Sequence, residues 1–372
     1  MRVRDLALDD FRSYAEVALA LSGGITAFVG PNGAGKTNLL EAMHLAARGD
    51  SPRAHDDTEM VRWGANTSRV RVEVDRCEGH RRIELVLFSP PEGERRRPRR
   101  YLLDGAGKLA GDVAGELVVV AFFPEDVELL VAAPGARRRY LDAMLAQIER
   151  AHRREIREYQ RVLEQRNALL RIAREEMTMP EEELAFWDRE LVRLAASISL
   201  RRALVVDEIA PAFREATARF SGAAALDIAY AGQAAGATIE ERSRAYERLL
   251  AEKRERERWQ GTTLVGAHRD DLRVTLDGRD LPSFASRGEH RSAVLGLKLA
   301  EAAWLASRVG EPPVFLLDDV LSELDPARRE ALANAIPEDA QAFLTAAAVT
   351  ALPEALRDRA TVLSVRRGEV LR

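Results

Sequence analysis

The sequence of 372 residues holds a single cysteine, Cys77. One thiol excludes an internal disulfide framework and any cysteine-based zinc site. Cys77 is expected within a strand, as a small inert apolar residue. Its isolation fits a reducing compartment. An apolar run long enough to cross a membrane is also missing. Residues 17–35 carry no charge, but they include five glycines, a proline and an asparagine. A membrane span needs about 20 mostly apolar residues, so this stretch reads as strand, turn, strand and loop. The opening MRVRDLALDDF is charged throughout and has no apolar core, unlike a signal peptide. A cytoplasmic location is therefore expected. An excess of positive charge is lacking too, because the net charge is −4. Nucleic-acid contacts then have to come from local clusters of Lys and Arg.

What is present is a globular composition, with 46% apolar and 31% charged residues. The length suits two ordinary domains or one large one. Residues 2–10 and 15–21 alternate apolar and polar, as half-buried strands do. Ile25–Val29 is a short apolar run ending in a glycine loop. Leu39, Leu40, Met43 and Ala47 then recur at helical spacing, and Gly49 stops the helix. From about 69 to 103 the alternation returns, with the run ERRRPRR (94–100) in a loop between strands.

The middle of the chain changes character. Leu145, Ile148, His152, Ile156, Tyr159, Leu163 and Leu170 mark one apolar stripe. Leu184, Trp187, Leu191, Leu194, Ile198, Val205, Ile209, Phe213 and Phe220 mark a second, after Pro180. These read as two antiparallel helices joined near Met179–Pro180, followed by a charged third helix over 238–259. Strand-like alternation resumes at Leu272, Val274 and Leu276, with a hairpin turn at Asp277–Gly278. A helix over 287–307 and the run Val314–Leu317 follow. The expected fold class is α/β, a head of residues 1–134 and 260–372 interrupted by a helical arm of residues 135–259. No internal repeats are visible.

Gly30-Pro31-Asn32-Gly33-Ala34-Gly35-Lys36-Thr37 matches the phosphate-binding loop pattern in full. It lies after an apolar strand and before a helix, the context the pattern requires. Backbone N–H groups and the helix dipole favour a phosphate chain there, up to Asn38 in the first helical turn. Lys36 would reach the β- and γ-phosphates of ATP, and the Thr37 hydroxyl would ligate Mg²⁺. The run VFLLDD ends a buried strand with two carboxylates at the edge where parallel sheets bind ligands. Asp318 would hold the Mg²⁺, and Asp319 would orient or deprotonate the attacking water. Ser322–Asp325 reads equally well as a turn before a helix at Pro326. Ser286-x-x-Glu289 satisfies a helix capping box.

The arginine runs at Arg95, Arg96 and Arg97, at Arg137, Arg138 and Arg139, and around Arg153 and Arg154 are candidate DNA-binding patches. Such runs are more often solvated faces. Without interleaved aromatics they offer no stacking platform, so contacts would be to the backbone, salt-sensitive and not sequence-specific.

The order of these motifs resembles the head of an ABC-type P-loop ATPase, and within that superfamily the RecF family. The segments that carry the resemblance are LALDDFRSYAEV, GPNGAGKTNLLEA, FFPEDVELLVAAPGARRRYLD, QRNALL, LVGAHRDDL, ASRGEHRSAVLGLKLAEA and FLLDDVLSELD, in one order from residue 6 to 325. The resemblance implies that Ser286 and Gly288 face the γ-phosphate of ATP held by a second copy, so that ATP becomes part of a homodimer interface. It implies that Arg12, after the first strand, contacts the γ-phosphate; a solvated turn arginine is an equal reading. It also implies a weak, DNA-stimulated ATPase of recombinational repair and replication at single-strand gaps or junctions. RecO and RecR would be partners in loading RecA, with a link to the SOS response.

Departures from the superfamily pattern are Glu289 in place of glutamine, Asp319 in place of glutamate, and Ala346–Ala348 where transporters carry a switch histidine. The shorter Asp319 arm implies slow turnover. Pro124–Asp126 stands near the place of the glutamine loop, and His268–Arg269 is read as structural. A transporter ATPase subunit and a Rad50 or SMC-like head are the competing readings. The missing histidine speaks against the first. A pair of arm helices confined to residues 137–220, without a Cys-x-x-Cys hook, speaks against the second.

Overall fold

The computed structural model describes residues 1–89, 99–176, 181–221 and 225–371. The chain forms two compact units, one of residues 1–128, 215–222 and 291–372, the other of residues 129–214 and 223–290.

The chain begins with β1 (Arg2–Phe11), β2 (Tyr14–Ala20), β3 (Ile25–Val29) and helix α1 (Lys36–Arg48). Strands β4 (Thr67–Arg76), β5 (Gly79–Phe88), β6 (Arg100–Leu103) and β7 (Ala106–Lys108) follow. A helical turn, α2 (Ala110–Val113), leads to β8 (Val119–Phe122). The helices α3 (Pro134–Ile148), α4 (Arg150–Glu176) and α5 (Glu181–Ser221) come next. Then come β9 (Leu226–Ala231), α6 (Ile239–Gln260), β10 (Asp271–Leu276), β11 (Arg279–Asp280) and the short α7 (Leu281–Phe284). The chain continues through α8 (Arg287–Val309), β12 (Val314–Leu317), α9 (Pro326–Ala335) and β13 (Ala342–Ala346). It closes with α10 (Glu354–Arg357), β14 (Ala360–Arg366) and β15 (Glu369–Leu371).

The first unit is built on two sheets, in the orders β2-β1-β4-β5-β6-β7 and β15-β14-β3-β13-β12-β8. In the first, neighbouring strands run antiparallel and alternate in burial. Leu6 and Leu8 face inward with Val70, Val72 and Val74 and with Ile83, Leu85 and Leu87. Period-2 patterning forces this, since one face is packed and the other wet. In the second, β14, β3, β13, β12 and β8 run parallel. Their central members are near-continuous apolar runs because both faces are covered. Helix α1 packs on strands of both sheets. It is accordingly buried on nearly every side, from Leu39 to Ala47, as an all-round apolar helix must be. Gly49 ends it in the left-handed region at φ 80°.

The second unit has its own core of Tyr159, Val162, Leu191, Leu194, Ile198, Tyr246 and Leu250, drawn from α4, α5 and α6. The first stripe is not one helix: Glu149 adopts an extended conformation between α3 and α4. The joint expected near Met179–Pro180 lies outside the described residues. A three-stranded sheet, β11-β10-β9, belongs to this unit. Its hairpin turns at Asp277 and Gly278, both at positive φ, as the type I′ turn requires.

Pairing of β9 with β10 keeps residues 260–290 with the helices, whereas the sequence reading assigned them to the head. Strand β9, LDIAYA, is short and one-third alanine, and its signal is weak. Cys77 is also displaced from expectation. Arg76 pairs with Gly79, so Cys77 sits exposed in the turn between β4 and β5. Among the described residues no helix is long and apolar enough to cross a membrane.

Candidate nucleotide-binding site

Residues 30–35 connect β3 to α1 as a loop whose backbone needs glycine. Gly33 and Gly35 have φ of 77° and 110°, values that L side chains rarely adopt. A Cβ on Gly35 would meet Ser13 Oγ at 2.8 Å and the Tyr14 hydroxyl at 3.0 Å. A Cβ on Gly30 would strike the Val365 carbonyl. Tyr14 donates to the Gly35 carbonyl at 3.1 Å, and Asn38 Nδ2 donates to Ser13 Oγ at 2.9 Å. The Lys36 ammonium donates to the carbonyls of Gly30 (2.7 Å) and Pro31 (3.0 Å). Partial burial lowers its pKa, opposed by the carboxylates of Asp319 and Asp318.

Strand β13 lies between β3 and β12, which brings the loop and the acidic pair to one sheet edge. Thr37 Oγ1 donates to Asp318 Oδ1 at 2.9 Å across 281 residues of sequence. Thr345, on β13, donates to the same oxygen at 2.9 Å and accepts the N–H of Asp319 at 2.8 Å. Burial raises the Asp318 pKa, while the hydroxyls of Thr345 and Thr37 and the charge of Arg53 oppose that rise. Asp319 is exposed and left-handed, with φ 50° and ψ 15°, a strained state for a residue other than glycine. Its carbonyl accepts Ser322 Oγ at 2.8 Å.

Beside the loop lies a network that the motif reading missed. Glu41, on α1, has no exposed side-chain surface. It takes Arg12 at 3.0 and 2.6 Å, Arg53 at 2.5 Å and the Ser51 hydroxyl at 2.5 Å. Burial pushes its pKa up, but the hydrogen bonds of Arg12 and Ser51 and the charges of Arg53 and Arg12 outweigh that and hold it below the usual carboxylate value. Arg12 also donates to the Glu59 carbonyl at 2.7 Å. Arg53 reaches the Asn38 side chain at 2.9 Å. The available signal was Glu41 itself, a carboxylate in an apolar helix that must find cations. Nothing local marked Arg53 or Thr345.

Residues Thr37 and Asp318 offer a hydroxyl and a carboxylate to one position, an oxygen set that suits Mg²⁺. No cluster of three or more His, Cys, Asp or Glu fit to hold a metal exists among the described residues. Such a cation would draw its remaining ligands from phosphate and water, the usual arrangement for Mg²⁺.

At the other motif, the capping box is formed. The Ser286 N–H donates to Glu289 Oε2 at 2.6 Å, and the Glu289 N–H donates to Ser286 Oγ at 3.3 Å. Ser286 is exposed and Gly288 half-buried. His268 is an internal residue. Its Nδ1 accepts the Tyr159 hydroxyl at 2.9 Å, its Nε2 meets the Thr263 carbonyl at 3.2 Å, and burial pushes its pKa down to about 4.

The arginine candidates divide. Arg95, Arg96 and Arg97 lie outside the described residues. Arg137 is removed from the nucleic-acid set. It is buried, forked onto Asp271 at 2.8 Å by both Nε and Nη2, and donates to the carbonyls of Leu130 and Ala132. Burial is tolerated because all three guanidinium nitrogens donate, two of them to a carboxylate. Arg138 is half-buried on the Asp270 carbonyl at 2.7 Å, and Arg153 is half-buried on that of Ala146. Arg139 and Arg154 are exposed.

Thr345 yields a prediction. Thr345→Val keeps shape but strips a donor from Asp318 and an acceptor from the Asp319 N–H. Urea denaturation is expected to show a loss of about 1–3 kcal/mol, the cost of leaving buried polar groups unpaired. ATP turnover is expected to fall about tenfold, the equivalent of 1.4 kcal/mol. Unchanged turnover would remove Thr345 from the site.

A parallel sheet with a phosphate loop at one strand end, and acidic side chains two strands away, defines a P-loop ATPase head of the ABC type, here with an inserted helical arm. The family model described as RecF/RecN/SMC N terminal domain matches residues 2–369. The protein called DNA replication and repair protein RecF from Roseiflexus castenholzii is 39% identical over 367 residues, covering 93% of each chain. The protein of the same name from Chloroflexus aurantiacus is 40% identical over 373 residues, again covering 93% of each. A solved structure of the recombination mediator protein RecF-ATPrS in the RecFOR pathway superposes with a TM-score of 0.89 at 27% identity, covering 100% of this chain and 97% of that one. The chain belongs to the RecF/RecN/SMC N-terminal domain family and, within it, to the RecF proteins.

Proposed function

We propose that this chain is an ATP-dependent DNA-binding protein of replication and recombinational repair, working as a slow ATPase switch. The observation that carries the reading is the 2.9 Å contact between Thr37 and Asp318 at the mouth of the glycine loop. It supports the reading by bringing the glycine loop and the acidic strand end together.

In this reading Lys36 and the N–H groups of residues 30–38 bind the phosphate chain of ATP. Thr37 and Asp318 hold Mg²⁺, which offsets charge on the phosphate oxygens when bound. Asp319 orients the attacking water and accepts its proton. Its carboxylate stands one methylene nearer the backbone than a glutamate would, so turnover is slow. Ser286 and Gly288 serve the γ-phosphate bound by a second copy, which makes ATP the bond between two protomers. Arg12 is held by Glu41 in the nucleotide site and acts on phosphate through that network.

ATP closes the homodimer on single-stranded or gapped DNA through phosphate contacts, and hydrolysis opens it. The printed names of the similar proteins, of DNA replication and repair and of a recombination mediator in the RecFOR pathway, support a role in recombination with RecO and RecR as partners; RecA loading, a link to the SOS response and a cytoplasmic location complete the reading. Of the candidate arginines on the arm, Arg139 and Arg154 are the exposed ones that remain for DNA.

The test is anisotropy of labelled gapped DNA with ATP, with ADP and with neither. Wild type is expected to bind at least tenfold more tightly with ATP. Asp319→Asn is expected to retain that complex and to hydrolyse ATP about 100-fold more slowly, as removal of a general base does. Nucleotide-independent DNA binding would sink the switch; wild-type turnover in Asp319→Asn would sink the role of Asp319.

A further inference from the structure

On the first sheet, the face turned away from α1 carries a groove of about 700 Å³. We infer that this groove docks an extended acidic segment of a partner protein that also carries apolar side chains.

The groove follows from strand register. Arg69, Val86 and Arg100 stand in one row across β4, β5 and β6, since Arg69 pairs with Val86 and Val86 with Arg100. The next outward row is Arg71, Glu84, Leu102 and Gly107. Leu109 follows β7 with 77% of its surface exposed. Val86, Leu102 and Leu109 thus form an apolar floor open to water, which is costly without a partner.

The charges around that floor are unequal. Four cations, Arg69, Arg99, Arg100 and Lys108, line the groove with two carboxylates, Glu84 and Asp112. Arg99 is committed to Asp57 at 2.6 Å. Arg69 and Arg71 share Glu84 at 3.3 and 3.6 Å. Arg100 and Lys108 make no ion pair with any described residue, and the Arg100 guanidinium rests over the Phe88 ring, 5.6 Å from its centre. Two exposed cations beside an apolar floor select an occupant with carboxylates and apolar groups together.

Backbone adds a third element. Among the described residues β7 has a sheet neighbour on one side only, β6, and its three residues are all exposed. An exposed edge beside side-chain pockets is the arrangement that takes up an added strand. A nucleic-acid strand fits less well. Its phosphates would meet Glu84 and Asp112, and it has no use for an aliphatic floor. The inference does not rest on the nucleotide site or on the proposed DNA switch.

Random dodecapeptides displayed on phage, selected on the immobilised full chain, give the test. Enriched peptides are expected to combine two or more Asp or Glu with Leu, Ile or Phe. A synthesised winner is expected to lose at least tenfold in affinity on the double variant Arg100→Glu/Lys108→Glu, and severalfold on Leu109→Ser. Both variants alter exposed side chains, and unchanged binding of a fluorescent ATP analogue verifies that they fold. The inference is overturned if nothing is enriched, if winners lack carboxylates, or if they bind the double variant as they bind wild type. It is equally overturned if the double variant loses a 30-mer DNA duplex tenfold while peptide binding is unaffected.

Discussion

Lys36→Met is expected to abolish ATP binding while leaving the fold intact. The ammonium lies at the glycine loop, 2.7 Å from the Gly30 carbonyl and 3.0 Å from that of Pro31. Methionine has a similar reach and helix propensity but neither charge nor donors. The loop geometry does not depend on the ammonium. It is set by Gly33 and Gly35 at positive φ, by the Tyr14 hydrogen bond to Gly35 and by the burial of α1. Melting temperature is therefore expected to move by only a few degrees. A hydrogen bond to a charged group contributes about 1.5–3 kcal/mol, and Lys36 would make more than one to the β- and γ-phosphates. A loss of at least about 100-fold in affinity follows, since each factor of ten is 1.4 kcal/mol. Titration with a fluorescent ATP analogue measures it. Affinity within threefold of wild type would mean that the loop is not a phosphate site.

How much of this was legible before the fold was known depends on how local each feature is. The phosphate loop, the acidic strand β12 and the Ser286–Glu289 box are written in consecutive residues, and each is formed as read. The Asp277–Gly278 turn is equally local, because its residues are those that tolerate positive φ. What escaped is non-local. Thr345 matters only because β13 is inserted between β3 and β12, an order that periodicity does not reveal. Arg53 matters only because Glu41 is buried beside it. Arg137 looked like a solvated cation because its run is basic, but its partner Asp271 lies 134 residues away. The break at Glu149 was hidden because helical spacing continues across it, from Leu145 and Ile148 to His152. Strand β9 was hidden because alanines blur its alternation. For Thr345, Arg137 and β9, residues distant in sequence supplied the deciding partner.

Ser286→Arg is expected to keep ATP binding and to lose the ATP-dependent dimer. In the proposed reading nucleotide is bound by residues 30–38 of the same chain, none of which the substitution changes. The dimer, in the reading above, needs the Ser286 hydroxyl and the close backbone approach at Gly288 to reach the partner's γ-phosphate. An arginine there adds bulk where the phosphate must fit, and sedimentation velocity with ATP is expected to show monomer at concentrations at least about 100-fold above the wild-type dissociation constant, a change of about 2.7 kcal/mol.

The same serine also caps α8, so loss of the cap has to be separated from loss of the interface. Glu289→Ala does this. It removes the 2.6 Å bond to the Ser286 N–H but leaves the hydroxyl in place. Its expected cost is about 1 kcal/mol of stability, with dimerisation preserved. If Ser286→Arg dimerises with ATP as wild type does, Ser286 has no part in the interface. If Glu289→Ala loses the dimer as completely as Ser286→Arg, the motif acts through the helix cap and not through a phosphate on the partner. Only the divergent pair of results, the Glu289 half of the capping box lost with dimer kept and hydroxyl lost with dimer gone, assigns the two phosphate-reading loops to opposite sides of one shared site.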